Sequence, residues 1–68
     1  MSFRISRYPN KSLGQRIRKA RLEKDLFQAD LAKMLEVDEM SIVNWELDRH
    51  RPVKSNLKKL SAYFGIAF

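Results

Sequence analysis

Apolar residues recur at helical spacing in four separate stretches of the chain. In the first, Leu13, Ile17 and Ala20 share one face, with Arg16, Arg18, Lys19 and Lys24 mostly on other faces. Ser12 is placed to cap this helix, and Gln15 stands three residues on, in capping-box position. The helix should end near Lys24 or Asp25. In the second stretch, Ala29, Leu31, Ala32 and Leu35 make an apolar face over about two turns. Asp30 suits the positive end of that helix dipole. Glu36, Val37 and Asp38 leave room only for a tight turn. Asp38 is a good N-cap for a third helix running to Trp45. Ile42 and Trp45 lie on its inner side, three residues apart. After a loop from 48 to 52, a fourth helix should start at or just after Pro52, which a first turn tolerates. Leu57, Leu60 and Phe64 form its apolar face, Gly65 ends it, and Ile66 should pack back. No stretch has strand periodicity, so an all-α fold is expected.

Composition narrows the class. The chain of 68 residues is sized for one domain with one core. It has no cysteine and a single histidine, His50, which removes disulfides and thiolate metal sites and leaves little for any metal cluster. No metal or cofactor is expected. No apolar run approaches the roughly 20 residues that cross a bilayer. The basic start, MSFRISRYPNK, lacks the apolar stretch of a secretory signal. A cytoplasmic protein without a membrane partner is expected. Residues 1–11 show no apolar period and contain Pro9, and are expected to form a basic arm, with 12–68 as the domain.

Charge points to an anionic partner. The net charge is +6, from 14 basic and 8 acidic residues. Its distribution is uneven. Residues 25–48 hold seven acids and only Lys33 as a base, while both flanks are strongly basic. Part of the acidic middle has structural uses: Asp30 at a helix start, Asp38 as a cap, Glu36 and Asp48 in turns. Charge alone would fit a solvated surface as well as a nucleic-acid partner. The informative feature is two short helices, within residues 28–47, joined by about three residues. The small Ala32 allows their close approach. Leu31, Leu35, Val37, Ile42 and Trp45 face inward, leaving Glu39, Met40, Ser41 and Asn44 outward. A helix held this way fits the roughly 12 Å major groove of B-DNA. Trp45 reads as core rather than as a stacking platform.

The segments LGQRIRKARLEK, LFQADLAKMLEV, SIVNWE, RP and LKKLSAYFGI occur in one ungapped register. In them the chain, from Leu13 to Ile66, resembles the lambda-repressor/Cro-type, or Xre-like, helix-turn-helix family. The resemblance implies a compact bundle of four or five helices, the third reading the major groove, and a bacterial or phage source. It implies that Glu39, Met40, Ser41 and Asn44 face base edges or nearby phosphates. It implies that Gln28 bonds a phosphate and braces the third helix, and that Arg49, His50, Arg51 and Lys54 meet the DNA backbone. Arg21 and Glu46 match an ion pair linking the first helix to the end of the third. Three positions depart from the family's usual glycine: Asp25, Glu36 and Asp48, where a left-handed backbone is expected. Phe27 replaces the usual Ser or Thr cap, at a cost of about 1 kcal/mol.

The expected function is sequence-specific binding of double-stranded DNA by a transcriptional regulator, a repressor by resemblance. The partner is duplex DNA; a homodimer is open, either on DNA alone or through Phe64, Ile66 and Phe68, the apolar residues left for such a contact. The competing reading is a helical interaction module that contacts another protein, motivated by the acids at the start of the third helix. No nucleophile–base pair, metal cluster or phosphate loop is seen, so neither an enzyme nor a small-molecule substrate is expected.

Overall fold

The computed structural model describes residues 8–68. It contains four helices: α1 (Leu13–Glu23), α2 (Gln28–Leu35), α3 (Glu39–Glu46) and α4 (Lys54–Phe64). Among the described residues there is no strand. The all-α expectation stands, with four helices among the described residues. Arg4 and Arg7 of the expected arm lie outside the described residues.

Local chemistry sets where each helix starts. At α1 both halves of the capping box form: the Gln15 amide donates to Ser12 Oγ at 3.0 Å, and the Ser12 amide donates to Gln15 Oε1 at 3.2 Å. At α2, Phe27 has no side-chain acceptor to offer. Asp30 supplies half of a box instead, its Oδ2 accepting the Phe27 amide at 2.8 Å. Asp38 is the N-cap residue of α3, as expected, but its carboxylate makes no capping hydrogen bond. α4 starts at Lys54 behind an apolar N-cap, Val53. Pro52 therefore sits before the cap, buried, rather than in the first turn.

The ends of α1, α2 and α3 share one device. Asp25, Glu36 and Asp48 take φ of 57°, 59° and 59°, the left-handed conformation expected from the departures from glycine. Each reverses the chain so that the next amide reaches back to a carbonyl in the last turn of the helix. Leu26 donates to the Arg21 carbonyl at 3.1 Å, Val37 to Ala32 at 3.0 Å and Arg49 to Asn44 at 2.9 Å. α4 ends on Gly65, at φ 70°.

α3 packs against both α1 and α2, while α4 packs against α2. Ile17, Leu31, Ile42 and Leu60, one from each helix, are wholly buried, and Leu35, Ala32 and Trp45 complete the centre. Two expectations about apolar residues fail. Ala29 is exposed because in the first turn of α2 it is Gln28 that turns toward α3, bonding Glu46. Ile66 is 50% exposed, and Phe68 takes its place on the body. The Phe68 carbonyl accepts from Arg16 Nη2 at 2.6 Å, the guanidinium lies 5.8 Å from its ring centroid, and the ring meets Phe64 edge-on. Of the three apolar residues expected to serve a dimer contact, Phe64 and Phe68 are thus partly covered by the chain itself.

Candidate nucleic-acid interface

The outward side of α3 depends on what holds its inward side. Ile42 and Trp45 are buried. At the helix end, Glu46 is buried as well, and a buried carboxylate needs charged or hydrogen-bonding partners. Arg21 meets it with two parallel bonds: Nε to Oε2 at 2.6 Å and Nη2 to Oε1 at 2.9 Å. Arg21 Nη1 also donates to the Leu26 carbonyl at 2.8 Å, in the turn between α1 and α2. Gln28 Nε2 donates to Glu46 Oε1 at 3.0 Å. One carboxylate therefore ties α3 to α1, to α2 and, through Arg21, to the turn joining them. The Arg21–Glu46 pair and the Gln28 bond fall on residues that the family resemblance singles out.

With that end fixed, Glu39 and Met40 are exposed and Ser41 and Asn44 half-buried on the other side. Met40 is 61% exposed, a large apolar side chain offered to solvent among polar ones. Arg49, His50 and Arg51 come directly afterwards in the chain and are exposed. The Asn44 carbonyl anchors this loop, accepting the Arg49 amide at 2.9 Å and the His50 amide at 3.4 Å. Together with Leu13, Trp45 and Asp48, the three loop residues line an open concavity of about 330 Å³. Lys54 is exposed at the first residue of α4 and shares neither this concavity nor a hydrogen bond with the others. α3 itself carries no basic residue, and Asp38 and Glu39 are exposed at its start. The positive charge next to α3 in the chain is in the loop at its C-terminal end, Arg49 and Arg51.

Two contributors escaped the sequence reading. In the sequence Asp48 is marked as a turn residue only. Its Oδ2 accepts the Ser12 hydroxyl at 2.6 Å and its Oδ1 accepts the Gly14 amide at 2.9 Å. The Ser12 hydroxyl first, then the Gly14 amide, hold its carboxyl below the ordinary value. This contribution is present above the ordinary carboxylate range and is lost as pH falls through the lowered value. Gly14 is the second. A Cβ there would meet the Trp45 carbonyl oxygen, with Asp48 Oδ1 at 2.7 Å and the Glu46 carbonyl at 2.8 Å. Only a residue without a side chain lets α1 start this close to the end of α3. Small size at position 14 was the available signal.

The helix-turn-helix domain family model matches residues 14–67. The chain belongs to that family. The fold is similar to that of the P22 c2 repressor protein, solved in complex with the synthetic operator 9T, with a TM-score of 0.79 and 33% identity over 84% of this chain and 86% of that one. No curated protein sequence matches significantly. The lambda-repressor/Cro-type resemblance holds. Among the described residues no helix is long and apolar enough to cross a membrane.

Proposed function

We propose that this helix-turn-helix protein is a transcriptional regulator that binds double-stranded DNA sequence-specifically and acts as a repressor. The observation that carries the reading is the outward face of α3, bearing Glu39, Met40, Ser41 and Asn44, on a helix whose other side is fixed by Trp45 and by Arg21, Gln28 and Glu46. An α-helix with its side chains is about 10–12 Å across, which the roughly 12 Å wide major groove admits. The likeness to an operator-bound repressor supports both the partner and the repressor role.

In this reading Asn44 presents its amide to adenine N6 and N7, and Glu39 accepts from a cytosine amino group. Met40 and Ser41 face neighbouring base edges. Arg49, His50, Arg51 and Lys54 meet phosphates, as does Gln28 with its second amide hydrogen. The domain is residues 12–68, preceded by the basic segment 1–11. The protein works as a DNA-bound dimer in the cytoplasm, associated with the nucleoid, and without catalysis. Asp38 and Glu39 favour the second reading, an interaction module whose α3 meets a protein.

Selection of bound duplexes from a random pool tests the proposal. A two-fold symmetric consensus is expected. A protein meeting about five phosphates should show a log–log salt slope of about −4 to −5. Asn44→Ala should relax preference at one base pair by about 1–3 kcal/mol, while Arg51→Ala weakens all sequences alike. A pool without enrichment, with a flat salt response, would favour the interaction module.

A further inference from the structure

The family's glycine position after α3 is occupied here by a residue that does more than turn the chain. Glycine would take φ 59° without strain, whereas Asp48 takes it at some cost. What that residue gains is a pair of contacts 34 and 36 residues away in sequence, to the Gly14 amide and the Ser12 hydroxyl. These contacts pin the start of the 49–51 loop to the start of α1. On the other side, the Arg49 and His50 amides hang from the Asn44 carbonyl. The loop is therefore held from two directions, by α3 through its backbone and by α1 through one carboxylate. The same carboxylate places an anion in the concavity beside Arg49, His50 and Arg51, where it opposes binding of another anion. A negative charge at that point is tolerable only if its structural contribution outweighs this repulsion.

We propose that Asp48 is a positioning residue for DNA binding: by bridging Ser12 and Gly14 it holds Arg49 and Arg51 where they meet phosphates. This role rests on the DNA-binding reading above. It makes the α1 start and the loop after α3 one rigid unit, so that the arginines need not be ordered at the moment of binding. Pre-ordering of this kind raises affinity by lowering the entropy lost on association.

Two substitutions separate the charge of Asp48 from its bridge. In Asp48→Asn the side-chain oxygen still accepts the Gly14 amide, and its NH2 donates to Ser12 Oγ, so the bridge survives without the charge. In Asp48→Gly the turn is relieved of strain and the bridge is gone, so the domain still folds. Binding to the selected duplex is measured over a range of salt, with thermal unfolding and amide hydrogen exchange of the free proteins alongside. Asp48→Asn should bind as tightly as the parent or more tightly, with the same slope. Asp48→Gly should bind about tenfold more weakly than Asp48→Asn, with a slope shallower by about one to two units as one or two phosphate contacts are lost. The Arg49 and His50 amides should exchange faster in Asp48→Gly while the melting temperature holds. Equal affinity and slope for the two variants would overturn the role and leave Asp48 a turn residue. A drop in melting temperature with unchanged slope would make the bridge structural only. A parent protein with no salt-dependent binding would sink the DNA reading, and this role with it, whatever the exchange rates show.

Discussion

The two ends of α3 are built on opposite plans. At its C-terminal end the attachments cluster: Trp45 is buried, Glu46 is bonded by Arg21 and Gln28, and Asp48 just beyond reaches across to α1. At its N-terminal end Asp38 caps in position but makes no side-chain bond, and Glu39 and Met40 stand in solvent. A short helix has little stability of its own and takes it from packing. Concentrating the attachments at one end leaves the other end free to present side chains while the whole rod keeps its direction. The contrast is between a fixed mount and an open tip, and it predicts that stability and recognition are separable along eight residues.

The mount should fail most severely at Glu46. Glu46→Ala leaves the Arg21 guanidinium buried without its carboxylate and releases Gln28. The expected loss is about 3–5 kcal/mol, read from denaturant unfolding. Replacing Arg21 and Glu46 together by apolar residues of similar volume should recover most of it. If Glu46→Ala unfolded like a surface mutant, with less than about 1 kcal/mol lost, the mount would lie elsewhere. Gly14→Ala comes next. The added methyl meets carbonyl oxygens of Trp45 and Glu46 that belong to the backbone and cannot swing aside. Against a helix-propensity gain of up to about 1 kcal/mol, overpacking should leave the variant about 1–2 kcal/mol less stable. A more stable Gly14→Ala would show that α1 and α3 keep a wider separation in solution.

Much of the mount was legible in the chain. Helical period located all four helices, because each buries a face wide enough to register as Leu31 with Leu35 or Leu57 with Leu60. Arg21 and Glu46 were found by family register, since nothing local marks a pair 25 residues apart. Period does not say what covers a face, which is why Ala29 and Ile66 were assigned to the interior and are exposed. Asp48 was hidden for a similar reason. Its role as a turn residue was sufficient on its own, and its partners, Ser12 and Gly14, are revealed only by the packing of α1 across the end of α3. The polar tip of α3 was legible as outward, being the side left over once Ile42 and Trp45 were turned inward.

A smaller effect sharpens the comparison at the turn that enters the tip. Glu36 and Asp48 share φ 59°, but no side-chain hydrogen bond of Glu36 offsets the strain. Glu36→Gly should therefore stabilise the domain by about 0.5–1 kcal/mol, the left-handed penalty less the added freedom of the unfolded chain. Asp48→Gly relieves the same strain but gives up two hydrogen bonds. Equal gains at both positions would erase the distinction between the entry and exit turns.

The smallest expected change is at the tip itself, at Asp38. An N-cap aspartate that bonds the helix amides ordinarily contributes about 1 kcal/mol. Here the carboxylate makes no such bond, leaving only its favourable position at the positive end of a short helix dipole. Asp38→Ala should therefore cost no more than about 0.5 kcal/mol in denaturant unfolding. Its effect on DNA binding should have the opposite sign, because it removes a negative charge beside the groove face. Affinity should rise modestly at low salt, and the gain should shrink as salt screens it. A stability loss near a full cap's contribution would mean that the carboxylate closes over the α3 amides in solution, and the tip would then be anchored at both ends. A loss of affinity would mean that Asp38 contacts the duplex as an acceptor, extending the reading face one residue beyond the helix.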